Sequence, residues 1–123
     1  HLQGNISEAT KYYQKLITNG IKDYRIFFNY GIILRNIGKL QEAEELIRKA
    51  IEINPQYAMA HFNLGNILSD MGKLNEAEIS FRKAIKFNPN LADAHYNLAS
   101  IYITQGKLKD VENSLKKAIL KAK

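Results

Sequence analysis

The sequence contains no cysteine and no tryptophan, and only two of its 123 residues are proline. Without cysteine the chain has no disulfide and no thiol chemistry, which suits a reducing compartment and leads us to expect a cytoplasmic protein. No run of about 18 apolar residues is present, so we expect no membrane-spanning segment and no membrane partner. No secretory signal is visible, and because the sequence begins at His1 rather than Met we expect a fragment of a longer protein.

The net charge of +6 is concentrated at the two ends of the chain. Residues 1–22 carry three Lys and one Glu (+2), residues 23–106 carry nine basic and nine acidic side chains (0), and residues 107–123 carry six Lys and two acidic side chains (+4). A protein that binds nucleic acid usually carries a basic stripe along its binding face. The lysines from Lys116 to Lys123 are better explained as a solvated helix end that complements the helix dipole. We therefore expect no nucleic-acid partner.

The sequence matches itself when it is shifted by 34 residues. Asn63-Leu64-Gly65 falls on Asn29-Tyr30-Gly31 and on Asn97-Leu98-Ala99, and Asn54-Pro55 recurs as Asn88-Pro89. A Gly-Lys-Leu segment also occurs once in each repeat, starting at positions 38, 72 and 106. A fixed period of this length indicates stacked supersecondary units rather than one closed globule.

Each repeat has the pattern of two helices. Apolar residues recur at three- and four-residue spacing, glycine follows several of these segments, and Pro55 and Pro89 block helix continuation. Ser7 lies near the start of the first segment, where its hydroxyl is compatible with a helix N-terminus. The predicted helices are residues 5–18, 24–36, 40–53, 58–71, 74–87, 92–105 and 108–121.

The predicted fold is all-α, an α-solenoid of antiparallel helix pairs that forms a single domain over residues 1–123. Residues 5–18 match the second half of a repeat, and complete repeats occupy residues 24–57, 58–91 and 92–123. Each helix pair buries only part of its apolar surface, so neighbouring repeats must stack to complete the core.

Small residues recur in the middle of the first helix of each repeat, as Gly31, Gly65 and Ala99. A glycine inside a helix costs about 1 kcal/mol relative to alanine. Accepting this cost predicts close contact with the partner helix of the pair. The large residues of the second helices are predicted to pack toward the next repeat; they are Ile47, Phe81 and Leu115.

These positions resemble those that define the tetratricopeptide repeat. In the middle repeat the pattern is carried by His61, Leu64-Gly65, Leu68, Ala77, Phe81, Ala84 and Pro89. The chain departs from the family at its usual Trp position, which holds Phe or His, and in the last repeat, which has Ala99 and Val111 at small positions. The resemblance implies a right-handed superhelix whose first helices line a concave groove that binds peptides or partner proteins.

Asparagine occupies one position in all three first helices, as Asn29, Asn63 and Asn97. This row resembles the asparagine ladder in the repeats of O-linked N-acetylglucosamine transferase. A carboxamide both donates and accepts hydrogen bonds, so it can pair with peptide N–H and C=O groups whatever the ligand's side chains. Stacked helices lie roughly 8–10 Å apart, so one Asn would engage an extended ligand every two to four residues. The alternative is that these amides form hydrogen bonds within or between helices.

Further peptide-binding candidates lie near this row. Asn66 is one turn along from the asparagines, with Ser100 at the equivalent position. A set of aromatic side chains lies beside the row, at Phe28, Phe62 and Tyr96. One subgroup of the family, which binds a C-terminal carboxylate, would carry its first basic residue there, so this mode is excluded. Aromatic residues at helical spacing are also explained by packing alone.

The leading hypothesis is a scaffold that holds an extended protein or peptide segment through the asparagine ladder. We expect no enzyme activity, because no phosphate loop, nucleophile motif or paired acid and base follows from the spacing. His61 and His95 are 34 residues apart, but they match the family's large packing position and a metal site needs more ligands. No metal and no cofactor are therefore expected.

Two other functions remain open. The chain could be a non-catalytic targeting arm of a larger enzyme such as a glycosyltransferase. It could instead be a self-associating structural module, because repeat arrays normally need polar ends. Apolar faces are expected at the two ends of this array, around Tyr13, Leu16, Leu115 and Ile119.

Overall fold

In the computed structural model, the described residues (2–106 and 108–122) form seven α-helices and no strand. The helices are α1 (Leu2–Thr18), α2 (Tyr24–Asn36), α3 (Leu40–Ile53), α4 (Ala58–Asp70), α5 (Leu74–Phe87), α6 (Ala92–Gln105) and α7 (Leu108–Ala122). The prediction of an all-α chain is confirmed. None of these seven helices is long and apolar enough to cross a membrane.

Most helix ends lie where the sequence predicts them. The helices α2, α3, α5 and α6 have the predicted bounds, and α4 and α7 each end within one residue of the prediction. The exception is α1, which begins at Leu2, three residues before the predicted start. Ser7 therefore lies inside α1, and its assignment to the helix N-terminus is wrong. No proline interrupts residues 2–5, so the helix extends through them.

Glycines in the left-handed conformation follow four of these helices, with φ between +75° and +85° at positions 20, 38, 72 and 106. After α4, the N–H of Gly72 donates to the Ser69 carbonyl at 2.9 Å, and the N–H of Lys73 donates to the Leu68 carbonyl at 2.8 Å. These bonds satisfy carbonyl groups that the end of α4 leaves without helical partners. The chain is thereby turned directly into α5.

The chain divides into two compact units, of which unit 1 comprises residues 1–55. Within it, α2 packs on α3 and α1 packs on α2. Gly31 permits the first contact, because a Cβ at this position would lie 2.7 Å from Ile47 Cδ1. In the second contact the rings of Tyr13 and Tyr30 stack with centroids 6.0 Å apart, and Gln14 Nε2 donates to the Tyr30 hydroxyl at 2.9 Å.

Unit 2 comprises residues 56–123 and contains two helix pairs, α4 with α5 and α6 with α7, which meet through α5 and α6. This order is consistent with the predicted solenoid of antiparallel pairs. A Cβ at Gly65 would lie 2.6 Å from Phe81 Cε1. The large buried side chains of the unit include Leu64, Leu68, Phe81, Leu98 and Tyr102.

The close helix contact predicted at the mid-helix glycines is confirmed in both units. Ile47 and Phe81 each pack on the glycine of their own repeat, a contact that the sequence pattern did not assign to them. The missing Cβ leaves a slot in the first helix, and the large residue of the second helix fills it. Both large residues are almost completely buried, at 0% and 1% exposure.

Candidate functional site

Two of the predicted peptide-binding residues in unit 2 contact each other. Asn97 Nδ2 on α6 donates to Asn66 Oδ1 on α4 at 2.7 Å. Both side chains are half-buried, so they remain accessible from outside. The structure thus joins the first helices of two successive repeats through a pair of carboxamides, which we call the amide bridge (Asn66 and Asn97).

Asn63 is placed differently from Asn97, although the two occupy the same repeat position. Asn63 is buried, with 8% of its surface exposed, and its Nδ2 donates to the Met59 carbonyl at 2.9 Å. This bond runs within α4, from a residue to the carbonyl four positions earlier. Such a bond is the alternative to ligand contact that the asparagine pattern allows.

In unit 1 the corresponding residue, Asn29, is exposed on α2. Asp23 caps the start of the same helix, and its carboxylate accepts a hydrogen bond from the backbone N–H of Arg25 at 2.9 Å. The Arg25 guanidinium also lies 2.7 Å from Asp23 Oδ2. Hydrogen bonds from Arg25 lower the pKa of the Asp23 carboxyl. Sequence reasoning missed this capping pair, although an Asp before a helical pattern is a recognised start signal.

The three predicted aromatic residues have unequal access to solvent. Phe28 and Phe62 are half-buried, and the Phe62 ring lies 5.9 Å from the ring of Phe81 in the same repeat. Tyr96 is 44% exposed. Phe62 therefore contributes at least partly to packing, whereas Tyr96 offers the largest accessible aromatic surface of the three.

The accessible side chains of α4 and α6 recur at three- and four-residue spacing and so form one stripe along each helix. The amide bridge connects the two stripes. Apolar side chains are accessible on them: Met59 is 36% exposed and Ile103 is 58% exposed. We call the two stripes together the first-helix face; it consists of Met59, Phe62, Asn66 and Asp70 on α4 and of Asp93, Tyr96, Asn97, Ser100 and Ile103 on α6.

A second polar group in unit 2 was not foreseen from the sequence. Arg82 on α5 donates to the hydroxyl of Tyr102 on α6 and, through Nε, to Glu78 Oε2 at 3.1 Å. Its guanidinium carbon lies 5.5 Å from the centre of the Tyr102 ring. Burial raises the pKa of the Tyr102 phenol, against the opposing charge of Arg82. A cavity of about 210 Å³ adjoins this group between α5, α6 and α7. Only the four-residue spacing of Glu78 and Arg82 was visible in the sequence.

The two repeated histidines of unit 2 are packing residues. His61 is 4% exposed and its ring lies 5.4 Å from the ring of Phe87. His95 is 2% exposed, and its Nε2 lies 3.0 Å from the Pro89 carbonyl, to which it donates. Within residues 2–106 and 108–122, no group of three or more His, Asp or Glu side chains is arranged to hold a metal.

Solved structures of two proteins, MamA and YrrB, share this fold. One MamA structure has a TM-score of 0.92 at 23% identity, and the match covers 95% of this chain and 68% of that chain. A second MamA structure has a TM-score of 0.83 at 25% identity, with 98% and 69% covered. YrrB, a TPR protein with an unusual peptide-binding site, has a TM-score of 0.86 at 26% identity, with 98% and 62% covered. The first likeness concerns the fold alone.

The chain therefore spans between 62% and 69% of the length of these three solved chains. No curated protein matches it. Models described as tetratricopeptide repeat match residues 24–57 and 46–79, and a model described as TPR repeat matches residues 65–106. These matches together span residues 24–106, which is 83 of the 123 residues, and the chain belongs to the tetratricopeptide repeat family.

Proposed function

We propose that this chain is a non-catalytic scaffold that binds an extended protein segment on the first helices of its repeats. The observation that carries the proposal is the amide bridge on the first-helix face, which lies among accessible apolar side chains. Membership of the tetratricopeptide repeat family supports a role in protein interaction. The similarity to YrrB, which has a peptide-binding site, supports the same role.

The bridge has hydrogen-bonding groups left for a ligand. Two carboxamides carry four N–H donors and two carbonyl oxygens, and the contact between Asn97 and Asn66 uses one donor and one lone pair. The remaining groups match the alternating N–H and C=O of an extended peptide. Each amide is also held in position by the other, so less side-chain freedom is lost when a ligand binds.

The proposed site differs from the asparagine ladder that the sequence predicts. Asn66 and Asn97 make the main contacts, and Asn63 contributes less because its Nδ2 is engaged by the Met59 carbonyl. Phe62 and Tyr96 supply apolar contact beside the bridge. In unit 1, Asn29 and Phe28 offer the same chemical groups on α2. Four expectations from the sequence remain part of this proposal. They are the likeness to O-linked N-acetylglucosamine transferase repeats, the right-handed superhelix, the repeat bounds and the cytoplasmic location.

A peptide-display experiment tests the proposal directly. Random peptides of about ten residues, which span about 33 Å when extended, are selected on the immobilised chain. Selected peptides are then measured by fluorescence anisotropy against wild type, the Asn66→Ala, Asn97→Ala double variant and the Asn113→Ala variant. Asn113 is an exposed asparagine on α7 and serves as the matched control. All three proteins are first compared by circular dichroism to ensure equal helix content.

We expect selected peptides to lose about tenfold or more in affinity for the double variant, because two hydrogen bonds contribute about 1 kcal/mol each. Binding to Asn113→Ala should be unchanged. Failure to select any peptide would reject the proposed function. Equal binding to wild type and to the double variant would reject the amide bridge as its basis.

Self-association is the second candidate, and exposed apolar side chains at the two ends favour it. Tyr12 on α1 is 61% exposed, and Ile119 and Leu120 on α7 are 50% and 69% exposed. The charge of both ends opposes it, because residues 1–22 carry +2 and residues 107–123 carry +4. Light scattering tests self-association: the mass of a single chain at high concentration and about 0.5 M NaCl, where the repulsion is screened, would exclude it. The remaining alternative, a targeting arm of a larger enzyme, would use the same first-helix face.

A further inference from the structure

The first helices of unit 2 carry no Lys or Arg, although the whole chain has 18. Their only charged residues are Asp70 on α4 and Asp93 on α6, which give these helices a combined charge of −2 while the chain carries +6. The helix between them, α5, contains Arg82, Lys83 and Lys86. Among the residues of unit 2 that the structure describes, every Lys and Arg except Lys73 therefore lies on a second helix, and the first-helix face is left acidic.

Both carboxylates lie close to the amide bridge along their helices. Asp70 follows Asn66 by four residues, and Asp93 precedes Asn97 by four residues, so each lies about one turn, or 6 Å along the axis, from the bridge. Both side chains are exposed. Asp70 also stands in the last turn of α4, where the helix dipole disfavours a carboxylate.

An aromatic ring accompanies one of these carboxylates. Tyr96 follows Asp93 by three residues, which puts the two side chains on the same stripe of α6. An arginine or lysine of a ligand can pair with the carboxylate and lie over the phenol ring, which attracts cations. The exposed apolar side chains of Met59 and Ile103 provide contacts for uncharged residues on either side.

We propose that the first-helix face selects extended segments that carry a lysine or arginine between apolar residues, and that it rejects acidic segments. This inference rests on the proposed function and adds the chemical class of the partner. An exposed ion pair changes affinity by up to about fivefold, so a peptide with one basic residue should be preferred over its neutral version by up to about fivefold. The preference should weaken with salt, because exposed charges are screened.

The test compares the residues found in peptides selected on three proteins. The random library described above is selected on wild type, on the Asp70→Asn, Asp93→Asn double variant, and on Glu112→Gln. Glu112 is an exposed acidic residue on α7 and provides the control for an equal kind of charge removal. One basic peptide from the wild-type selection is then measured together with a version in which alanine replaces its basic residue. The affinities are recorded at about 0.05 M and about 0.5 M NaCl.

We expect wild type and Glu112→Gln to enrich lysine and arginine and to deplete acidic residues, and the double aspartate variant to lose this bias. The affinity difference between the two measured peptides should be up to about fivefold on wild type at low salt. It should fall to less than about twofold on the double variant or at high salt. Selected peptides without a basic bias, or with one that the double variant retains, would overturn this inference and leave the proposed function standing. If no peptide is selected at all, both fail together.

Discussion

Replacing Gly65 by alanine should destabilise the chain, although alanine is the better helix former. The added methyl group would lie 2.6 Å from Phe81 Cε1, 2.7 Å from Cδ1 and 2.8 Å from Cζ. These distances are far below van der Waals contact. Phe81 is only 1% exposed, and its ring also faces Phe62, so it has little room to move away.

The size of the effect follows from two opposing terms. The change from glycine to alanine inside a helix contributes about 1 kcal/mol of stability, and forcing an extra methyl group into a filled core costs about 1–3 kcal/mol. We therefore expect a net loss of up to about 2 kcal/mol, and a fall in Tm of up to about 8 °C for a chain of this size. The variant Gly4→Ala serves as the control, because a Cβ at Gly4 in α1 meets nothing within 4 Å.

A second substitution should partly restore stability. The third repeat has Ala99 and Leu115 where the second has Gly65 and Phe81. Phe81→Leu alone removes ring atoms and should cost about 1–2 kcal/mol through the space that it leaves. In the double variant the Gly65→Ala methyl group enters that space, so the stability lost by the double variant should be about 1 kcal/mol smaller than the sum of the two single losses.

Urea unfolding of the four proteins measures this cycle, with circular dichroism and tyrosine fluorescence recorded together to test for two-state behaviour. Two results would refute the reasoning. One is a Gly65→Ala variant that is more stable than wild type by as much as the helix preference of alanine predicts. The other is exact additivity of the two changes, which would mean that Gly65 and Phe81 do not constrain each other.

Three further expectations concern a turn, a helix cap and a buried phenol. Gly72→Ala should lower stability by about 1–2 kcal/mol in urea unfolding, because φ is +78° there. Hydrogen bonds from Arg25 lower the pKa of Asp23, so the Asp23 carboxylate stabilises the fold above its unfolded pKa of about 3.9, and this stabilisation is lost as the pH falls. In a plot of unfolding free energy against pH, Asp23→Asn should therefore reduce the fall on the acid side. Burial raises the pKa of Tyr102, so Tyr102→Phe should remove a phenol that ionises above pH of about 10 in an absorbance titration. Each assignment would be contradicted by an unchanged result: the urea midpoint for Gly72→Ala, the acid side of the stability curve for Asp23→Asn, and the absorbance titration for Tyr102→Phe.

The helices could be predicted closely because their boundaries depend on backbone chemistry. The sequence shows the glycines that adopt positive φ and the two prolines, and the 34-residue period repeats these helix-ending signals. The start of α1 was missed because no breaker precedes it and Ser7 resembles a cap. The contacts of Ile47 and Phe81 within their own repeats were missed for another reason: the glycine that each one covers lies on a different helix, and spacing within one helix does not reveal that contact.

The candidate site could be predicted by position but not by environment. Asn29, Asn63 and Asn97 share one repeat position, yet the first is exposed, the second is buried and the third is half-buried. Their hydrogen bonds depend on neighbouring groups that differ between repeats. Asn97 meets the amide of Asn66, whereas Ser100 holds the position of Asn66 in the last repeat. Periodicity fixes the backbone position of each amide, and the partners within reach decide whether it faces a ligand.

The core and the first-helix face are under different constraints, and this difference indicates where binding selectivity resides. A change in the core needs a matching change on another helix, as the exchange of Gly65 and Phe81 for Ala99 and Leu115 illustrates. An exposed residue of a first helix has no such requirement, so its charge can change without loss of the fold. The first helix of unit 1 carries Arg25 and Arg35, whereas those of unit 2 carry only acidic charges. We infer that the acidic charge of the unit 2 first helices serves the proposed ligand, and the substitutions on the first-helix face are the direct test of that inference.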